Sequence, residues 1–158
     1  PDVTLGSSKW VDMHRYRSHT ENTLECVQRL KRDGYRIVVT TPHAENVTPA
    51  TIDLTGPMAF CFGTELTGAS DVLMAHADEH LRIPMHGFTE SYNISVSAAI
   101  VLYTVMERLR ASEVDWRLSP TDLVTLKLQW ARKVVHSAQH LEARFRLDAG
   151  EGDAGRMS

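Results

Sequence analysis

Two loops in this chain carry residue types whose spacing could do chemistry. The first is Phe62-Gly63-Thr64-Glu65-Leu66-Thr67-Gly68-Ala69-Ser70. The second runs from Ile83 through Pro84, Met85, His86 and Gly87 to Ser91, Tyr92, Asn93 and Ser97. Gly63 and Gly68 lack a Cβ, so backbone there can come close to a ligand, and Glu65 places a carboxylate beside them. In the second loop Pro84 stops an extended run and Gly87 supplies a turn. Ser91 and Asn93 stand where a helix begins, and helix N-termini attract carboxylate or phosphate groups. Ser95, Ser97, Ala98 and Ala99 then give that helix a face small enough for close backbone packing. Taken singly, each loop has a plain structural reading as a glycine turn before a capped helix.

The elements that must position these loops follow from periodicity and punctuation. Leu24, Val27 and Leu30 form one stripe of a helix over 20–32, with Thr20 able to cap its start and Gly34 able to end it. Tyr35 to Thr40 is β-branched and bounded by Gly34 and Pro42, which predicts a buried strand. Residues 41–56 form a loop, and Met58 to Phe62 a second buried strand. Ser70 can cap a helix reaching about His80, Leu81 to Pro84 is a short strand, and Asn93 caps a helix over 94–110. Ser119-Pro120-Thr121-Asp122 is a helix start. From there Leu123, Leu126, Trp130, Val134, Ala138, Leu141 and Phe145 repeat at helical spacing, predicting one added C-terminal helix. Residues 1–17 are extended and polar with Trp10 as their one large anchor. Residues 148–158 have little to bury and are expected to form a flexible tail. Strands alternating with helices predict an α/β domain with a parallel sheet.

Composition narrows the class. The 158 residues are 42% hydrophobic and 23% charged, with a net charge of −3, which excludes a protein that coats nucleic acid by bulk charge. Between residues 108 and 146, however, eight basic residues face four acidic ones. Such a surplus suits contact with RNA phosphates, and equally suits a solvated amphipathic helix. Lys127, Arg132 and Lys133 are the expected RNA contacts there. Cys26 and Cys61 form no metal motif and are expected to be reduced thiols. No leader and no membrane-spanning run is visible, so a soluble cytoplasmic protein is the expectation. His76-Ala77-Asp78-Glu79-His80 matches a zinc-protease spacing but has no third ligand in view, so no metal is expected. His86 could touch RNA or cofactor, with an exposed loop residue as the plainer reading, and His43 beside Pro42 is open in the same way.

The order and spacing of FGTELTGAS at 62–70 and IPMHGFTESYNISVSAA at 83–99 resemble motifs 2 and 3 of the SpoU/TrmH family of RNA ribose 2′-O-methyltransferases, within the SPOUT class. The resemblance runs from about Trp10 to Arg110. Residues 116–145 resemble the C-terminal helical extension of the TrmH branch, whose members are tRNA guanosine-2′-O-methyltransferases. The resemblance implies a Rossmann-like α/β domain ending in a trefoil knot, an exception to the rule against threaded chains. It implies that S-adenosyl-L-methionine binds in the knot, against Thr40, Thr41, Gly63, Thr64, Glu65, Ile83, Met85, Ser91, Tyr92 and Asn93, with Tyr92 standing where relatives often have Leu. Catalytic roles are implied for Asn93, Ser91 and Glu65. A homodimer built through the helices beside the knot is implied as well.

The implied reaction is methyl transfer to a ribose 2′-hydroxyl, of a guanosine in the tRNA D-arm; a ribosomal RNA target and a catalytically inactive dimer that binds RNA or cofactor are the alternatives. The expected division is a methyltransferase domain over 1–112, a helical extension over 113–147 and the tail over 148–158. One departure stands out: motif 1 of the family, an early Asn followed by Arg, has no counterpart here, and Arg15 and Arg17 lack its context. The chain therefore resembles a methyltransferase without its N-terminal part, expected to bind cofactor better than it turns over.

Overall fold

A computed structural model describes residues 10–17, 20–44, 47–88 and 91–154, with side chains to residue 149. Among these, residues 15–116 form one compact unit, and residues 10–14 with 117–154 form another.

In the first unit the chain runs α1 (Asn22–Arg32), β1 (Arg36–Thr40), β2 (Met58–Cys61), α2 (Asp71–Ala75), β3 (Glu79–Leu81) and α3 (Ile94–Ala111). The three strands are parallel in the order β2-β1-β3. Central β1 buries Ile37, Val38 and Val39 in succession, the signature of a strand covered on both faces. Val38 faces a cluster with Ile52, Leu81, Val101 and Val105, whereas Ile37 and Val39 pack with Val27 of α1. The two faces follow directly from the period-2 alternation of a strand. Gly34, at φ 84°, lets the chain turn from α1 into β1, and the Tyr35 amide donates to the Leu30 carbonyl at 2.9 Å.

Three expectations are corrected in this unit. Glu21, not Thr20, occupies the N-cap of α1, and its side chain makes no capping bond. The helix expected to reach His80 ends at Ala75, and the third strand lies at Glu79–Leu81 instead of 81–84. The reason is Asp78. Its amide donates to the Ile37 carbonyl at 2.9 Å, and its carboxylate accepts from the Ile37 amide at 2.8 Å and from Lys31 at 2.7 Å. These bonds lay the segment along β1 before the apolar residues begin, and Arg36 offsets Glu79 at 3.7 Å.

The Lys31 hydrogen bond, followed by that of the Ile37 amide, holds the Asp78 carboxyl below the usual carboxylate range. A lowered native pKa stabilises the fold above the unfolded value of about 3.9 and loses that contribution as pH falls through the native value. Asp78→Asn is therefore expected to destabilise the protein at pH 7 and to flatten its acid-unfolding profile below about pH 4. Urea midpoints measured at both pH values check this; equal losses at the two would contradict it.

The second unit holds α4 (Pro120–Val134) and α5 (Ala138–Ala154). Ser119 caps α4 as expected, accepting from the Asp122 amide at 3.1 Å while its hydroxyl donates to the Asp122 carboxylate at 2.6 Å. The single helix predicted from the stripe is in fact two. Val135 is extended and Ser137 takes φ 59°, which breaks the axis and lets Arg132 fork onto Glu142 at 2.6 and 2.8 Å. Helix α5 also takes in residues 148–154, which the composition assigns to the tail; residues 155–158 lie outside the described residues. Trp10 stacks edge-on against Trp130 with centroids 5.5 Å apart, so residues 10–14 belong with the helices. The first compact unit accordingly ends at Trp116. No described helix is long and apolar enough to cross a membrane.

Candidate cofactor site

All three strands point their carboxyl ends at one cavity of about 430 Å³, lined by residues 40–43, 62–69, Met74, Leu81, Ile83, Met85, Ser91, Tyr92, Ile94 and Ser97. Its place is dictated by topology. The chain leaves β1 to one side for β2 and returns past it to β3, and open parallel sheets bind ligands where the connections diverge in this way. Thr40 Oγ1 donates to the Cys61 carbonyl at 3.1 Å, tying together the ends of β1 and β2.

The wall formed by 63–69 is a tight backbone loop. Thr64 and Gly68 exchange both amide–carbonyl bonds, at 2.9 and 3.0 Å, and the Thr64 and Thr67 hydroxyls meet at 2.7 Å. Gly68 turns with φ 69°. Gly63 is held for another reason: a Cβ there would lie 2.1 Å from the Gly68 carbonyl carbon and 2.2 Å from the Ala69 nitrogen. Only glycine permits the two passes of backbone to lie this close. Beyond the loop, Ser70 caps α2 by accepting from the Leu73 amide at 3.3 Å.

The two loops meet through one hydrogen bond. Asn93 caps α3, its Oδ1 accepting from the Ser95 amide at 2.9 Å, while its Nδ2 donates to Glu65 Oε1 at 2.9 Å. One amide thus fixes the helix start and orients the only carboxylate that lines the cavity among the described residues.

Of the residues expected at the cofactor, Thr40, Thr41, Gly63, Thr64, Glu65, Ile83, Met85, Ser91 and Tyr92 all line this cavity. Asn93 does not line it but is hydrogen-bonded to Glu65, which does. Sequence reasoning missed Met74, Ala69 and Ser97 as wall residues. Ser97 stands out in the sequence as small, whereas nothing local marks Met74, which arrives from α2. Among the expected RNA contacts, Lys127 is exposed with no ion pair among the described residues, but Arg132 is committed to Glu142 and Lys133 to Asp12 at 3.3 Å. No group of three or more His, Cys, Asp or Glu that could hold a metal occurs among the described residues. His76 is the C-cap of α2 and His80 lies in β3, with His76 Nδ1 at 2.8 Å from the Val72 carbonyl. Burial pushes both thiols up, away from the reactive thiolate form.

Residues 2–103 match the model of the SpoU rRNA Methylase family. A tRNA (guanosine(18)-2′-O)-methyltransferase of Borreliella burgdorferi is 43% identical over 142 residues, 90% of this chain and 63% of the relative. The enzyme of that name from Thermus thermophilus is 35% identical, over 84% of this chain and 67% of its own length. The chain thus spans about three fifths to two thirds of the length of the Borreliella, Aquifex and Thermus relatives. Among solved structures, the Aquifex aeolicus TrmH/SpoU tRNA modifying enzyme superposes with a TM-score of 0.65 at 28% identity, covering 85% of this chain and 68% of that one.

Proposed function

Because the chain belongs to the SpoU methylase family, we propose that it binds S-adenosyl-L-methionine in the cavity at the strand ends and serves methyl transfer to a ribose 2′-hydroxyl of tRNA. The observation that carries the proposal is the convergence of both motif loops on that one cavity, joined by the Asn93–Glu65 bond. The residues present fit the cofactor. A cavity of about 430 Å³ suits a ligand of that size, and Gly63 brings bare backbone to its wall. Apolar walls at Phe62, Leu81, Ile83 and Met85 suit an adenine face, and the backbone around 40–42 and 63–65 offers hydrogen-bonding edges. The knot expected of the family would be formed by these same loops.

When bound, S-adenosylmethionine supplies a methyl group on a good leaving group. The protein's task is then alignment and management of one proton. Glu65, oriented by Asn93, accepts a hydrogen bond from the ribose and fixes its hydroxyl. Ser91 and Thr64 offer further hydroxyls at the same wall. Asn93 is a positioning residue in this scheme.

A tRNA substrate is preferred over ribosomal RNA because the match to the Borreliella relative extends over 142 residues, and so into the helical unit beyond the family domain. A ribosomal RNA relative, the 23S rRNA (guanosine-2′-O-)-methyltransferase of Coxiella burnetii, matches over only 57% of the chain. The target we propose is a D-arm guanosine. RNA contact in the helical unit then rests on Lys127 more than on Arg132 or Lys133. A second copy of this chain is the proposed partner: Ile94, Val96, Leu102 and Tyr103 of α3 are exposed, and α4 buries none of its residues.

Calorimetric titration with S-adenosylmethionine is the direct test, followed by transfer of labelled methyl to an unmodified tRNA transcript. Saturable binding and label in an alkali-resistant dinucleotide are the expected results. A folded chain that binds no cofactor, or label found on a base, would refute the proposal.

A further inference from the structure

A second cavity, about 340 Å³, opens beside the first, and Pro42, His43, Ile83 and Met85 line both. What distinguishes it is charge. Arg82, His43 and His86 all line it, each is exposed, and among the described residues no carboxylate does. In a chain of net charge −3, Arg36 and Arg132 find acidic partners, yet the Arg82 guanidinium has none among the described residues. The base of this side chain is fixed. The Arg82 amide donates to the Val47 carbonyl at 2.8 Å, and the Thr41 amide donates to the Leu81 carbonyl at 3.0 Å. These bonds clamp the residue after β3 against the turn that follows β1. An exposed guanidinium on an anchored backbone, with no acidic partner among the described residues and two imidazoles on the same cavity wall, is a donor array suited to a phosphate group.

We propose that this cavity holds a backbone phosphodiester of the RNA strand whose ribose enters the adjoining cavity. The inference rests on the methyltransferase reading above. In a nucleotide, ribose and phosphate are covalent neighbours, as the two cavities are neighbours here. A contact of this kind carries no sequence information but sets the register of the strand, and so decides which 2′-hydroxyl reaches Glu65. Arg82 and His86 line only the charged cavity, so they can be changed without touching the cofactor wall.

The test uses the full chain saturated with S-adenosylmethionine and a fluorescent tRNA transcript, with anisotropy read across a range of NaCl concentrations. Arg82→Gln is expected to weaken RNA binding about 5–10-fold near 0.1 M salt and to lower the salt slope by about 1, with the calorimetric cofactor titration unchanged. His86→Gln is expected to give a smaller loss. If wild type binds RNA and Arg82→Gln matches it in affinity and slope, the inference fails while the methyltransferase reading stands. If wild type binds cofactor but no RNA, both fail. Inorganic phosphate alone is titrated in parallel: binding that Arg82→Gln abolishes, with RNA affinity untouched, would make this a free-ion site and overturn the RNA assignment. Should Arg82→Gln disturb cofactor binding as well, Arg82→Lys decides, since recovery of the salt slope with charge supports the inference and no recovery overturns it.

Discussion

Gly63→Ala is expected to reduce affinity for S-adenosylmethionine by at least roughly 100-fold, or about 2.7 kcal/mol, in a chain that still folds. The added methyl would sit 2.1 Å from one backbone atom and 2.2 Å from the next. Neither can move aside by changing rotamer, so the loop itself must open. Opening it breaks the paired bonds between Thr64 and Gly68 and displaces the wall that carries Glu65. Gly68→Ala is the informative control. It faces open space but has φ 69°, so it costs only the strain of a left-handed alanine, about 1–2 kcal/mol. The expected ranking is a far larger loss of binding at 63 than at 68, with circular dichroism confirming that both variants are folded. Unaltered binding in folded Gly63→Ala would mean that this loop is not the cofactor wall.

Asn93 gives the second large effect, and three substitutions separate its two jobs. Asn93→Ala removes both the cap, worth about 1 kcal/mol, and the bond to Glu65, and is expected to lower cofactor affinity about tenfold. Asn93→Ser keeps a capping oxygen but is too short to hold Glu65, so helix stability recovers while turnover on tRNA does not. Asn93→Asp caps well and yet sets a carboxylate against Glu65 where a 2.9 Å donor stood. Like charges at that distance repel, and a fall in pH that protonates either carboxylate relieves the repulsion. The Asp variant is therefore expected to bind worse than the Ala variant at pH 7.5 and to improve as pH falls toward 5, the reverse of any simple capping effect. Calorimetry at the two pH values reads this directly. A flat pH response in Asn93→Asp, matched by full activity in Asn93→Ser, would leave Asn93 as a helix cap and nothing more.

The same contrast between local and distant interactions governs what could be foreseen. Gly34, Ser70, Asn93 and Ser119 act within three or four residues of themselves, and all four do what their types and neighbours indicate. The buried run of β1 is equally legible, because consecutive β-branched residues suit a strand covered on both faces. The β3 segment is not. Glu79 and His80 look like a solvated helix end until Asp78 is seen bonded to Ile37 and Lys31, far back in the chain. The break at Val135–Ser137 is hidden for a related reason: the apolar stripe continues through it, and the extended Val135, the positive φ of Ser137 and the Arg132–Glu142 pair appear only in the structure. That pair also gives Arg132 an acidic partner, which charge counting could not detect. At the site, loop membership is legible from motif spacing. The link between Glu65 and Asn93 and the charged cavity around Arg82 required the strand order.

The uncovered apolar side chains of α3 and α4 have a thermodynamic consequence. If a second copy covers them, the folded state is a bimolecular product, and its population depends on the total protein concentration as well as on temperature. The melting temperature would then fall on dilution, and a one-chain two-state fit would assign to internal packing a free energy that belongs partly to mass action. Comparisons among variants of this chain would have meaning only at matched concentration, and a substitution on the exposed face of α3 could lower the midpoint without weakening a single contact inside the protomer.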